Sequence, residues 1–247
     1  VYSGHIGRAH SHSAENLSQN FQRLNLKQPT KWEALPIKTP LQGLAMAPHG
    51  ENVYRVGGLS AYNKKDEDSV MESLPTVGRS SHDSVFLGDH LYVVGGWTMQ
   101  KEDESIWQED MLVLDASQEK PQWKTIKQPF QRRALSAAAH QGKIYAMGGI
   151  DADGDISHEV DVYSPETGKW SKGPELPGST MNGFGTTAWS IDGNLYFSGM
   201  DGGVFQLDQE NNNWKKAGTL ATPRFFHRLL PDGNGGLLAI GGASRKG

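Results

Sequence analysis

The chain has 247 residues, with Lys+Arg 24 against Asp+Glu 28, a formal net charge of −4, Gly 30 and Cys 0. The acidic balance excludes a surface built to neutralise many phosphates, so nucleic acid is not an expected partner. The missing cysteine excludes disulfides, thiolate metal centres and thiol nucleophiles, and no apolar run approaches the ~18 residues of a membrane span.

Taken in chain order, one pattern returns: an aromatic or aliphatic residue, two small or apolar residues, then glycine. It opens the chain as Val1-Tyr2-Ser3-Gly4 and comes back as Tyr54-Arg55-Val56-Gly57-Gly58 and Tyr92-Val93-Val94-Gly95-Gly96. Tyr145-Ala146-Met147-Gly148-Gly149, Tyr196-Phe197-Ser198-Gly199 and Leu238-Ala239-Ile240-Gly241-Gly242 complete the series. These landmarks divide the chain into six units, roughly 1–40, 41–78, 79–131, 132–178, 179–223 and 224–247, read as one repeat domain. In the full repeats a short polar turn with glycine precedes the landmark, as in Gly88-Asp89, Gln141-Gly142 and Asp192-Gly193, which predicts a hairpin of strands one and two. A polar loop follows, then a third strand such as Glu159-Val160-Asp161-Val162-Tyr163, and then a tryptophan. Trp170 comes seven positions after Tyr163 and Trp214 seven after Leu207, while Trp32 and Trp123 fill the same place after longer turns. Leu35-Pro36, Leu74-Pro75 and Leu176-Pro177 close three of the units.

A double glycine, a tyrosine about six residues ahead of a tryptophan and a closing proline resemble the Kelch repeat. The resemblance covers nearly the whole chain and implies an all-β propeller of four-stranded antiparallel blades. Physically, a lone twisted blade cannot bury both faces, so blades stack, and Tyr and Trp fill the gaps between them. Six blades are expected. The alternative is five, with Phe21 to Pro36 supplying the last outer strands. Two places break the pattern. The second unit has too few residues between Leu59 and Ser73 for strands three and four; it lacks a tryptophan and carries the solvated charge run Asn63-Lys64-Lys65-Asp66-Glu67-Asp68. Either that blade is degenerate or residues are missing near Ser69 to Met71. The termini also lack strands, and a chain starting at Val1 rather than Met reads as clipped.

Strand order puts the segments leading into strand one and the loops after the glycines on one face, and loops on a rigid frame are where binding is expected. That face carries Arg79-Ser80-Ser81-His82, Arg132-Arg133, Asn182 and Arg224-Phe225-Phe226-His227 from the leading segments. Trp97, His5, Arg8, His10, His12, Asp151 and Asp201 come from the loops. Arg and His converging on a concave mouth favour an anionic group through charge-assisted bonds. The same residues would equally serve to order the ring by bonding loop carbonyls. His5, His10 and His12 are candidate Zn²⁺ or Cu²⁺ ligands, although His-x4-His-x-His fits no specific metal motif and reads first as a polar loop. Asp151-Ala152-Asp153-Gly154-Asp155 has its glycine fourth, not sixth as a calcium loop needs, and reads as a turn. Asn234-Gly235-Gly236 lacks the residues of a phosphate loop, and Asn16-Leu17-Ser18 is a short glycosylation sequon.

Two functions follow from the resemblance. Kelch propellers typically bind proteins or peptides through this face, so a binding scaffold without a cofactor is the first expectation. Ser81 and His82 are neighbours on a strand and cannot act as nucleophile and base. The second is a ligand-binding or sugar-isomerising propeller resembling bacterial sialic-acid mutarotases, in which Arg79, Arg133 and Arg224 would hold a carboxylate and His82 and His227 would move protons. Copper radical oxidases on Kelch-like folds need a cysteine that is absent here. The run Asp161-Val162-Tyr163-Ser164-Pro165-Glu166-Thr167-Gly168-Lys169-Trp170 resembles bacterial Kelch proteins, many of them exported, which implies a periplasmic or secreted location.

Overall fold

The structure is a computed structural model that describes residues 1–6, 14–63, 68–71, 74, 78–101 and 104–244. It is nearly all β, with strands grouped by repeat unit and two short 3-10 turns. Unit one holds β1 (Phe21–Leu24) and β2 (Trp32–Leu35), and unit two holds β3 (Ala45–His49), β4 (Asn52–Val56), β5 (Leu59–Asn63) and β6 (Asp68–Met71). Unit three runs β7 (Asp83–Leu87), β8 (His90–Val94), β9 (Trp97–Lys101), β10 (Glu104–Trp107), β11 (Asp110–Asp115) and β12 (Trp123–Lys127). Unit four has β13 (Ser136–His140), β14 (Lys143–Met147), β15 (Val160–Ser164) and β16 (Lys169–Lys172). Unit five has β17 (Thr187–Ile191), β18 (Asn194–Ser198), β19 (Gly203–Asp208) and β20 (Asn213–Thr219), and unit six β21 (Phe225–Pro231) and β22 (Leu237–Ala243).

Units three, four and five are four-stranded antiparallel sheets in simple up-and-down order. Their first strands stand side by side: β3 meets β7, β7 meets β13, β13 meets β17 and β17 meets β21. Strand one is therefore the inner strand of the ring. The tryptophans sit where the sequence places them, with Leu114↔Trp123, Tyr163↔Trp170 and Leu207↔Trp214 facing each other across the outer hairpins. The core lies between blades. Tyr92, Val94, Met111 and Val113 of unit three pack on Leu135, Ile144, Ala146 and Tyr163 of unit four, and Val160, Val162 and Leu176 of unit four on Leu195, Phe197 and Leu207 of unit five.

Units one and two differ from the expectation in instructive ways. Phe21 pairs back on Tyr2, and their rings lie 5.0 Å apart, so Phe21–Leu35 belongs with Tyr2 in unit one rather than beside β21–β22. In unit two, Leu59 to Met71 is neither a third nor a fourth strand. It is the hairpin β5–β6, the counterpart of β9–β10, and both spring from the residue after a double glycine. The parts of the charge run at Asn63 and Asp68 form the paired ends of β5 and β6, while residues 64–67 lie outside the described residues.

The double glycines are explained by their neighbours. Gly57, Gly95 and Gly148 have φ of 55°, 66° and 66°, a region that disfavours any Cβ. Each also abuts the next unit: a Cβ would lie 2.5 Å from the Arg79 carbonyl at Gly57 and 2.6 Å from that of Arg132 at Gly95, and would meet the Gly183 carbonyl at Gly148. The glycine that follows donates its N–H to that carbonyl, from Gly58 to Arg79 at 2.9 Å, Gly96 to Arg132 at 2.9 Å and Gly149 to Gly183 at 2.7 Å. The repeat's most visible signature is thus the contact between blades.

Candidate functional site

The segments leading into strand one form a belt around the channel mouth. Gly43, Ser81, Ala134, Gly185 and Phe226 occupy one equivalent position, each with φ between 54° and 61°. Their backbones link unit to unit: Ser81 N–H donates to the Gly43 carbonyl (2.7 Å), Ala134 to Ser81 (2.7 Å), Gly185 to Ala134 (3.0 Å) and Phe226 to Gly185 (2.8 Å). One turn deeper, side chains repeat the device. Asp83 Oδ2 accepts from Ala137 N–H (2.9 Å), Ser136 Oγ from Ala188 N–H (3.0 Å) and Thr187 Oγ1 from Leu229 N–H (3.0 Å). Buried backbone groups at each blade junction are satisfied this way.

The arginines of this face divide by role. Arg79 is fully buried, and its Nη1 donates to the Gly95 and Asp110 carbonyls at 3.1 and 3.0 Å, tying strand one to strands two and three of its own unit. Burial pulls its pKa down to about 10, with Asp110 opposing. Arg132 donates to Ser157 Oγ (2.8 Å) and the Glu159 carbonyl (3.1 Å) and pairs with the buried Asp161 carboxylate. Arg224 Nη1 donates to the Gly241 carbonyl at 2.9 Å, the counterpart of the Arg79 bond. Asn182 is fully buried; its Nδ2 donates to the Pro177 carbonyl and Asp201 Oδ2, and its Oδ1 accepts from Asp201 N–H.

His82 and His227 are buried at equivalent positions. His82 Nε2 lies 3.1 Å from the Val56 carbonyl, and burial followed by the Arg79 charge lowers its pKa to about 3. Among the described residues neither ring nitrogen of His227 has a well-aligned hydrogen-bond partner; burial, then the Arg224 and Arg228 charges, lower its pKa to about 4, with a backbone contact to Arg224 opposing. Both imidazoles are neutral at physiological pH.

Arg133 stands apart. Its guanidinium lies 4.4 Å from the Trp97 ring centre and 5.6 Å from that of Trp107, and the two indoles are 5.9 Å apart on facing positions of β9 and β10. Among the described residues no carboxylate pairs with it, its Nε is buried without an acceptor, and burial lowers its pKa. Ile106 on the same hairpin is 42% exposed. Trp97 and Arg133 are thus brought together, and Trp107, which sequence reasoning passed over, completes the group. The alternation Trp97 to Met99 against Ser105 to Trp107 would have predicted the hairpin. Phe184, Phe225 and Phe226 form a second aromatic group at the mouth, with ring centres 5.0 to 6.3 Å apart and Phe226 49% exposed.

The remaining candidates fall elsewhere. His5 is exposed and bridges Leu17, while Arg8, His10 and His12 lie outside the described residues. Asp151 Oδ1 accepts from Asp153 and Asp155 N–H, as in a turn. No cluster of three or more metal-ligating side chains occurs among the described residues, and no helix of the structure is long and apolar enough to cross a membrane.

A model of the Kelch motif matches residues 131–177, the span of β13 to β16. Among curated proteins, Kelch repeat and BTB domain-containing protein 12 of Danio rerio is 26% identical over 87% of this chain and 40% of its own length. Kelch-like protein 36 of Mus musculus is 35% identical over 52% of this chain and 22% of its own. Alpha-scruin of Limulus polyphemus is 23% identical over 60% and 17%. The chain therefore spans two fifths or less of the length of these relatives. The solved structure of YjhT superposes with a TM-score of 0.66 at 19% identity, covering 87% of this chain and 81% of that one.

Proposed function

We propose that this chain, a member of the Kelch-repeat family with a β-propeller fold, is a scaffold that binds a protein or peptide partner through the loop face around its central channel. The observation that carries the reading is the Arg133 guanidinium held on the Trp97 and Trp107 rings with no carboxylate paired to it among the described residues. Aromatic side chains and arginine are the groups that dominate protein interfaces, and a cation placed on indoles without a carboxylate partner keeps N–H donors available for a partner's carboxylate or carbonyl. Arg79, Arg132, Asn182 and Arg224 serve this face as its frame, holding the belt from which Arg133 projects.

The sugar-isomerising alternative draws no support from the histidines. A proton shuttle needs a titrating group in reach of its substrate, and His82 and His227 are buried with pKa values near 3 and 4. The finer reading of a bacterial, exported protein rests on repeat style alone.

The test is selection from a random peptide library on the intact chain. Selected peptides should lose binding about tenfold or more on Arg133→Ala or Trp107→Ala, since each removes a group worth more than ~1.4 kcal/mol at a contact centre. They should keep binding on Lys143→Ala, at the far end of unit four. Selected peptides indifferent to both loop-face substitutions would overturn the proposal.

A further inference from the structure

The junction between units four and five departs from the repeat on the face opposite the loops. Register fixes the comparison. Leu87, His140 and Ile191 end strand one of units three, four and five, beside the hairpin turn, and Phe86, Ala139 and Ser190 precede them. Between units three and four that end of the interface is apolar, with Leu87 and Ala139 packed on the shared core. Between units four and five the same two places hold His140 and Ser190. His140 is 3% exposed, and its Nδ1 lies 2.9 Å from Ser190 Oγ. Its Nε2 lies 3.0 Å from Gln209 Nε2, on the turn between β19 and β20. Burial lowers the imidazole pKa, so the neutral ring accepts from the Gln209 amide at Nε2 and donates from Nδ1 to Ser190. Burying polar groups in place of leucine and alanine costs free energy, and the neighbouring junction shows that blades stack without them.

A second departure lies beside it. The residues ahead of Leu114, Tyr163 and Leu207 on strand three are Val113, Val162 and Gln206. Both valines belong to the buried apolar core. Gln206 instead donates from Nε2 to Asn194 Oδ1 at 2.7 Å, and Asn194 Nδ2 donates to the Asp192 carbonyl at 3.1 Å. Asp208 next to them is paired with Lys215 and accepts from Asn211 Nδ2 at 2.7 Å. His140, Gln209, Gln206, Asn194 and Asp208 all border one cleft of about 310 Å³, which Gln141 and Glu210 complete.

We propose that this cleft binds a small neutral polyol, a monosaccharide in size. Its volume stands at the small end of ligand sites, which run from about 300 to 1,000 Å³. Its walls are mostly amides and carboxylates. Every hydroxyl of a polyol both donates and accepts, so it matches a wall that mixes amide N–H donors with carbonyl and carboxylate acceptors. Charge disfavours the other polar classes. Two carboxylates, Asp208 and Glu210, stand against one ammonium, Lys215, which Asp208 already holds. That negative surplus repels carboxylates and phosphates, and a cation would meet Lys215 beside the carboxylate it needs. Leu207 supplies the one apolar side chain of the lining, so an aromatic or lipid ligand has little to bury against. His140 is a positioning residue: it fixes the Gln209 amide at the edge of the cleft. The site lies opposite the loop face and does not depend on the scaffold reading.

The full chain is titrated with D-glucose, D-galactose, D-mannose and myo-inositol, with glucuronate and inorganic phosphate as anionic controls. The side-chain amide NMR signals of Asn194, Gln206 and Gln209 are followed. Saturable shifts of these amides with at least one neutral probe are expected, and none with the anions. Gln206→Val installs the residue that units three and four carry at that place, and should weaken binding tenfold or more. His140→Leu installs the residue of unit three. It should weaken binding severalfold and, before any probe is added, move the Gln209 amide signals but not those of Asn194; a purely structural histidine would leave the affinity unchanged. Glu210→Gln, on the exposed turn, should also weaken binding severalfold and carries the test if either strand variant fails to fold. No saturation with any neutral probe, affinity unchanged by Gln206→Val, or tighter binding of either anion would overturn the proposal.

Discussion

Arg228 Nη1 on β21 lies 2.9 Å from Asp83 Oδ2 on β7, joining residues 145 apart in the chain. β13 and β17 stand between those strands in the ring, so the pair reaches across the channel. Asp83 is the hub. Its carboxylate also accepts from Ala137 N–H and, through Oδ1, from Ser84 N–H.

The two ends of that pair should differ in a double-mutant cycle. The Arg228 side chain is 44% exposed and that of Asp83 6%. Arg228→Ala should lower unfolding stability by less than about 1 kcal/mol, because solvent screens the exposed partner. Asp83→Ala should cost about 2–3 kcal/mol, because it strands a buried N–H at a blade junction. Urea unfolding of both single variants and the double variant measures the two figures and their coupling.

Stability should fall as pH drops from about 6.5 toward 4. His82 and His227 have folded pKa values lowered to about 3 and 4. In that window the unfolded chain binds protons that the folded chain does not, so the stability present above pH 6.5 is lost on acidification. Leu44 and Leu135 fill the equivalent position in units two and four. His227→Leu should therefore raise stability at pH 7 by up to about 1 kcal/mol, by removing a buried, poorly hydrogen-bonded imidazole, and by more at pH 5. Thermal melts at the two pH values check both claims.

Gly95 and Gly241 share a left-handed φ, 66° and 70°, but a Cβ at Gly241 meets nothing within 4 Å. Gly241→Ala should cost about 1 kcal/mol from backbone strain alone. Gly95→Ala should cost about 3 kcal/mol, because it also drives the Arg132 carbonyl and the Leu135 side chain away. Chemical denaturation of the pair separates the conformational cost from the inter-blade cost.

Arg132 and Arg133 are neighbours with opposite expected behaviour. Arg132→Ala leaves the buried Asp161 carboxylate without its guanidinium, Lys172 remaining at 2.8 Å, and should destabilise by about 3 kcal/mol. Arg133→Ala should cost no more than about 1 kcal/mol, the worth of a part-exposed cation on indole rings. Equal losses from the two variants would show that Arg133 too belongs to the frame.

The sequence by itself determined the repeat. Gly57, Gly95 and Gly148 had to be glycine because another blade's carbonyl sits against them at positive φ. Trp170 and Trp214 had to face Tyr163 and Leu207 because the hairpin register puts them opposite. Such constraints recur in every blade, so they are written as periodic residues. What only the tertiary structure decided is where non-periodic side chains end. Arg79, Arg132 and Arg133 are the same letter at the same face, yet two turn inward to carbonyls and Asp161 while the third lies on Trp97 and Trp107. Nothing local distinguishes them, because their partners come from segments up to 36 residues away. The hairpin β5–β6 escaped for a related reason: Leu59 to Asn63 and Asp68 to Met71 flank a charge run, and neither short segment shows its pairing until the other stands beside it. The bond from Arg228 to Asp83 is the extreme case, legible only when the ring brings the third and sixth units face to face.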